Sequence, residues 1–116
     1  MIAIDTNLLV YAHRAGCPEH AGARRAIEEA SDDADGWGIP SSCVFEFWSV
    51  VTHPASTGGG SSPASAKGFI EALMETAGAV ILPPPQALVP SVTKIWTHDA
   101  GFVALPGLKV RDPLAG

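Results

Sequence analysis

Three carboxylic acids stand where side chains of an α/β protein commonly meet. Asp5 follows the short apolar run at residues 2–4, and Glu46 lies within an apolar helical segment. Asp99 follows a second β-rich run at residues 94–97. Carboxylate oxygens are hard ligands that suit Mg²⁺ or Mn²⁺. A cation held there can activate water and stabilise the charge on a phosphoryl group, so the acids predict a metal-dependent phosphoryl-transfer site.

Each acid also has an ordinary structural explanation. Asp5 can be a helix cap or a turn acid, and Glu46 can be a partly exposed helix residue. Asp99 sits in a His-Asp-Ala-Gly stretch that is typical of a plain turn. Spacing alone leaves both explanations open for all three acids.

The helix that carries Glu46 has an apolar stripe at Val44, Phe47, Trp48 and Val51, with the spacing i, i+3, i+4, i+7. We predict that Phe47 and Trp48, together with Phe45, belong to the core. A carboxylate buried among them needs a partner, which makes Glu46 the more informative acid.

The elements that must position these acids follow an α/β order. Strands are predicted at residues 2–4, 37–39, 79–82, 94–97 and 108–110, and helices begin near residues 6, 18, 41 and 63. Thr6 and Asn7 can cap the first helix. The alternation predicts a mostly parallel sheet flanked by helices, with Asp5 at the carboxyl end of the first strand, where ligands bind in such sheets.

One connection in this arrangement is short. A crossover between parallel neighbouring strands needs about a dozen residues and usually a helix. The stretch after residue 82 has prolines at positions 83, 84, 85 and 90, so a stable helix does not fit there. Either the strands at 79–82 and 94–97 are not neighbours, or chain is missing near residues 89–91.

Composition narrows the protein class. The 116 residues suit one domain, and 47% hydrophobic content supports a real core. Neither a bilayer-spanning run nor a signal peptide is predicted, so we expect a soluble, cytoplasmic protein.

Cys17 and Cys43 lack zinc-site spacing and are expected to be reduced thiols, Cys43 near the core. The net charge of −5 counts against polyanion binding, although a bound cation or a basic partner would offset it.

Three motifs, in the right order, resemble those of PIN domains, especially toxins of the VapC type. The opening stretch at residues 4–12 is similar to the family's first motif, with Asp5 as its acid. Residues 40–54 resemble the second motif, with Glu46 as its acid. Residues 96–102 resemble the last, a Thr-x-Asp-x-x-Phe pattern that contains Asp99, and residues 106–114 look like the ending of this subgroup.

The resemblance implies a single PIN domain over residues 1–116, a three-layer sandwich with a mostly parallel central sheet flanked by helices. It implies a metal-dependent endoribonuclease in which Asp5, Glu46 and Asp99 bind Mg²⁺ or Mn²⁺. Thr6, Asn7 and Thr97 would orient the ligands or the water through hydrogen bonds. The implied partners are an RNA substrate, a VapB-like antitoxin and a second copy of the chain in a homodimer, with no membrane.

The chain departs from the family pattern at one place. PIN domains carry a further acidic motif on a helix before the last motif, and residues 83–94 contain no acid. We therefore expect an acidic helix to be missing between about residues 90 and 91, where the crossover is also short. The alternative function is a catalytically impaired PIN scaffold that binds an antitoxin or another partner. An unrelated acidic phosphotransfer domain is a weaker hypothesis, because residues 58–60 lack the Gly-Lys-Ser/Thr ending of a phosphate loop.

Overall fold

The computed structural model describes residues 1–56, 59–83, 92–99 and 108–115. Within these ranges the chain forms strands and helices in the order that the sequence predicts. The elements are β1 (Ile2–Ile4), α1 (Thr6–His13), α2 (His20–Ser31), β2 (Trp37–Pro40), α3 (Ser41–Thr52), α4 (Pro63–Thr76), β3 (Val80–Leu82), β4 (Lys94–Trp96) and β5 (Lys109–Arg111). None of these helices is long and apolar enough to cross a bilayer.

The strands form one parallel sheet in the order β3-β2-β1-β4-β5, which confirms the predicted α/β class. β3 and β4 are not neighbours, because β2 and β1 lie between them. The two strands are three strand positions apart, roughly 14 Å across the sheet, and the ends to be joined lie at opposite edges of the sheet. Residues 83–93 span more than that when extended, so the connection needs no helix to reach. Residues 90 and 91, where a helix is predicted to be missing, lie outside the described ranges.

The main core lies on one face of the sheet. Ile2 and Ile4 of β1 point to this face, where Trp37, Ile39 and Trp96 extend it along the neighbouring strands. All four described helices bury their apolar side chains in this same cluster. Ala3 points to the opposite face. There it meets a much smaller cluster, with Leu82 and Val92, to which no described helix contributes.

The core-facing stripe of α3 differs from the predicted one. The buried side chains are Cys43, Phe47 and Val51, whereas Phe45 is 75% exposed and Trp48 is 39% exposed. The prediction that Phe45 and Trp48 belong to the core is therefore wrong. The helix is turned so that its Cys43 side reaches the end of β1. Glu46 is exposed as a result, and its carboxylate needs no buried partner.

The ends of α4 follow their sequence signals. The Ser62 side chain accepts a hydrogen bond from the Ser65 backbone N–H at 3.1 Å, and Pro63 occupies the first turn, where a missing N–H costs nothing. Gly78 follows the last turn with φ of +72°, a conformation that favours glycine. These signals fix where the chain leaves α4 for the edge strand β3.

Candidate active site

The carboxyl ends of β1 and β4 meet at the centre of the sheet edge. The Asp5 backbone N–H donates to the carbonyl of Trp96 at 3.0 Å, which continues the pairing of the two strands by one residue. Asp5 follows β1 directly, and Thr97 follows β4 directly. Two segments far apart in the sequence therefore place their polar side chains at one point.

Asp5 is the N-cap of α1, which is the structural role that the sequence left open for it; Thr6 and Asn7, also possible caps by residue type, lie within the helix. Its Oδ1 accepts a hydrogen bond from the Thr6 backbone N–H at 2.8 Å and a longer one from the Cys43 thiol at 3.5 Å. Its Oδ2 accepts one from the Thr97 hydroxyl at 2.7 Å. Donors from the first turn of α1, from α3 and from the residue after β4 thus hold the carboxylate in one orientation.

The Thr97 hydroxyl uses all of its hydrogen-bonding capacity. Besides donating to Asp5, it accepts from the Asn7 Nδ2 at 3.3 Å and from the Asp99 backbone N–H at 3.1 Å. Both of those groups are donors, so the single hydroxyl proton must point at Asp5. Thr97 is also only 1% exposed, which excludes competition from water.

The Asn7 amide is fixed in the same network. Its Oδ1 accepts from the His98 backbone N–H at 3.1 Å, which requires the opposite end of the amide to be the nitrogen that faces Thr97. Asn7 therefore ties the first turn of α1 to the loop that carries Asp99. The three supporting residues Thr6, Asn7 and Thr97 all lie at this junction.

The three predicted acids open into a single cleft of about 340 Å³. The described residues that line the cleft are Asp5, Thr6, Asn7, Val10, Tyr11, Glu46, Val50 and Asp99. α1 and α3 form its walls. The structure thus brings Asp5, Glu46 and Asp99 to one place from three separate segments.

The donor set is chemically suited to a hard divalent cation. Within the described ranges, no three Asp, Glu, His or Cys side chains stand close enough together to hold a metal ion as they are. Mg²⁺ commonly takes only one or two carboxylates and keeps several waters, so an oriented Asp5 carboxylate beside two exposed acids meets that requirement. The Thr6 hydroxyl oxygen adds a buried atom at the cleft that makes no hydrogen bond in the described structure.

Cys43 lies beneath the cleft, on the side of α3 that faces β1. Burial raises the pKa of its thiol, and the neighbouring Asp5 carboxylate adds to the rise, whereas Thr6 acts in the opposite direction. The thiol stays protonated at neutral pH and donates to Asp5. The sequence predicts Cys43 only as a core residue, because its contact with Asp5 joins segments 38 residues apart.

A second polar pair supports the loop from the other side. The His98 ring nitrogen Nδ1 lies 2.8 Å from Oδ2 of Asp112, just after β5. Burial opposes ionisation of Asp112, but the Leu114 backbone N–H and the His98 ring outweigh it and hold the pKa of Asp112 below its usual value. The His98 ring also meets Tyr11 edge to face, with centroids 5.9 Å apart. No sequence signal singled out this pair.

Comparison with known proteins agrees with this architecture. A family model described as PIN domain matches residues 2–112. The chain belongs to the PIN-domain family. VapC ribonuclease Mb2897 of Mycobacterium bovis and ribonuclease VapC43 of Mycobacterium tuberculosis are each 37% identical to it over 84 residues. That match covers 72% of this chain but only 57% of each relative, so the chain spans somewhat more than half the length of these VapC-type relatives.

Proposed function

We propose that the protein is a metal-dependent endoribonuclease of the VapC toxin type that cleaves RNA phosphodiester bonds. The observation that carries the proposal is the single cleft shared by Asp5, Glu46 and Asp99, with the Asp5 carboxylate oriented by three donors. The names of the mycobacterial relatives support ribonuclease activity as the reaction.

In this proposal Asp5, Glu46 and Asp99 hold one or two Mg²⁺ or Mn²⁺ ions. A bound ion of this kind lowers the pKa of the attacking water and stabilises charge on the phosphoryl group. The protein's own contribution is orientation. Thr97 fixes one oxygen of Asp5, Asn7 fixes Thr97 and the His98 backbone, and the Asp99 backbone is tied to Thr97 in turn.

The test is cleavage of unstructured RNA with and without Mg²⁺ or Mn²⁺. We expect cleavage that chelation with EDTA abolishes and that Asp5→Asn reduces by at least about a hundredfold, because the acid that three donors hold in place is lost. Asp32→Asn, in the exposed C-cap of α2, is the matched control and should cleave like the wild type. Metal-independent cleavage, or full activity in Asp5→Asn, would contradict the proposal.

The second candidate is a PIN scaffold with an impaired site that binds a partner. It is favoured by the lack of an acid in residues 83–94, before the last motif, where PIN domains carry a further acidic motif. We propose that the single domain at 1–116 lacks an acidic helix between about residues 90 and 91. The intact mass decides between the functions: 12.0 kDa favours the impaired scaffold, and a mass several kilodaltons higher favours a complete nuclease.

The proposed partners are a VapB-like antitoxin and a second copy of the chain, in the cytoplasm. Phe45 and Trp48, one helical turn apart on α3, expose a large apolar area beside the cleft, which supports a protein partner there. Light scattering after size exclusion measures the oligomeric state directly. A mass of one chain at high protein concentration would contradict the homodimer.

A further inference from the structure

The cleft has two chemically different halves. Its acidic half carries the three carboxylates, and its other half is a wall made by Val10, Tyr11 and Val50. Val10 and Tyr11 follow Asn7 by three and four residues on α1, and Val50 follows Glu46 by four residues on α3. Each wall residue therefore stands about one helical turn, roughly 5.4 Å along the axis, from a polar residue of the site.

Tyr11 gives this wall an aromatic surface, and the ring of His98 packs against it. The edge-to-face contact with His98 fixes the ring, and Asp112 fixes His98 in turn. The ring is half-buried, so one part of it remains accessible. An aromatic ring already held in place can stack on a ligand at a low cost in conformational entropy.

The positive charges of the protein are elsewhere. All seven Lys and Arg residues lie in the described ranges, and none is among the residues that line the cleft. Arg14 donates to the carbonyl of Val51, and Arg111 pairs with Glu29 at 2.9 Å while its guanidinium lies over Trp96. Contacts between cations and phosphates, the usual source of affinity for nucleic acid, are therefore weak in this cleft.

We infer that the Val10–Tyr11–Val50 wall is a subsite for one unpaired nucleobase, beside the phosphate that the acids engage; this inference rests on the proposed function. A polynucleotide offers phosphate, sugar and base, and only the base matches an apolar, aromatic surface. Single-stranded RNA is commonly recognised by stacking of splayed bases on aromatic side chains. A cleft of about 340 Å³ is at the small end of ligand sites, which suits a single base.

The experiment measures the affinity of a short, unstructured, fluorescein-labelled RNA by anisotropy in Mn²⁺. An Asp99→Asn background keeps the RNA intact, and one abasic nucleotide is moved through the sequence position by position. The abasic series is repeated in Tyr11→Leu, which keeps apolar volume but removes the ring, and in Tyr11→Phe, which keeps the ring. Thermal melting of each variant checks that it is folded.

We expect one abasic position to weaken binding by about tenfold in the background protein and in Tyr11→Phe. In Tyr11→Leu the same abasic change should cost less than about twofold, because the surface on which the base stacks is already gone. The dependence of the abasic penalty on residue 11 is the coupling that the experiment measures. A general loss of stability in one protein variant does not produce it, because the intact RNA and the abasic RNA are compared on the same variant. An abasic penalty of equal size in all three proteins, or at no position, overturns the subsite.

Failure of the subsite and failure of the proposed function give different results. If wild-type protein cleaves RNA in Mn²⁺ but the coupling is absent, the proposed nuclease activity is supported and the wall is not a base subsite. The wall then binds some other ligand, such as a partner's side chain. If the coupling is present but wild-type protein does not cleave RNA, the base subsite is supported and the proposed nuclease activity is contradicted. RNA that is neither bound nor cleaved overturns both.

Discussion

Thr97 donates its only hydroxyl proton to Asp5, at 2.7 Å, while accepting hydrogen bonds from the Asn7 amide and the Asp99 backbone. One hydroxyl group thus joins residues from both ends of the chain and sets the orientation of the acid nearest the centre of the sheet. The most direct predictions concern this contact.

Replacing Thr97 with valine keeps the shape of the side chain but removes the proton that Asp5 accepts. We expect the proposed ribonuclease activity, and the proposed affinity for Mn²⁺, to fall by about 10- to 100-fold, the range typical of residues that orient metal ligands. Thr97→Ser keeps the hydroxyl and should restore most of both. Steady-state cleavage as a function of Mn²⁺ concentration measures the two effects together, and equal behaviour of the valine and serine variants would remove the orienting role.

The two cysteines should differ in reactivity. Burial raises the pKa of Cys43, so little of the reactive thiolate forms at neutral pH, and the side chain is also shielded from reagent. We expect an aromatic disulfide reagent to modify Cys17 quickly and Cys43 only after unfolding. Cys17→Ser is the control, and in the native protein it should show almost no fast reaction. A fast reaction of the Cys17→Ser variant would mean that Cys43 is open to solvent.

His13 should make the stability of the fold depend on pH. Its ring packs against Phe47 and Phe69, and burial, then the charge of Arg14, lowers its pKa. A histidine with a lowered pKa in the folded state contributes stability that is complete above its unfolded pKa of about 6.5 and is lost as pH falls through the folded-state value.

We therefore expect the unfolding free energy of the wild type to decrease from pH 7.5 toward pH 5, and we expect His13→Gln to flatten this decrease. His53→Gln, at an exposed position, is the control that should leave the pH profile as it is. Urea unfolding at a series of pH values makes the measurement. A His13→Gln profile parallel to the wild type would assign the pH dependence to other groups.

Binding of single-stranded RNA should respond weakly to salt. Each phosphate neutralised by Lys or Arg contributes about −0.7 to the slope of log affinity against log salt concentration. With no cation lining the described cleft, we expect a slope of about −1 or shallower in the presence of Mn²⁺. A steep slope would show that RNA follows a basic surface elsewhere on the protein, and Lys109→Gln and Arg24→Gln would then locate it.

Much of the fold could be predicted from local signals. The order of all nine described elements follows from the alternation of short apolar runs with helical stripes, and Ser62, Pro63 and Gly78 mark the ends of α4 correctly. The position of Asp5 at the end of β1 also follows from local sequence. These features depend on contacts between residues close together in the chain, which sequence patterns record well.

The errors arise where tertiary packing decides. A helical stripe shows which residues share a face, but on α3 Phe47 and Val51 can be joined either by Trp48, as predicted, or by Cys43. The tertiary packing of the helix buries Cys43. Likewise, no local pattern shows that β4 pairs with β1 and not with β3, which is why the short connection left two alternatives. The Cys43 and His98–Asp112 contacts could not be predicted, because each joins segments that only the fold brings together.

The network around Asp5 has a consequence for the order of events during synthesis. Its hydrogen bonds join pairs of residues that are separated by 90, 91 and 92 positions in the sequence. The site is therefore complete only after β4 has joined β1 and α1. Contacts of such high sequence separation form late in folding, because loop-closure entropy opposes them. A chain still being translated therefore has no finished site until Thr97 and Asp99 have left the ribosome, and under the proposed function a nascent chain does not cleave the RNA that encodes it.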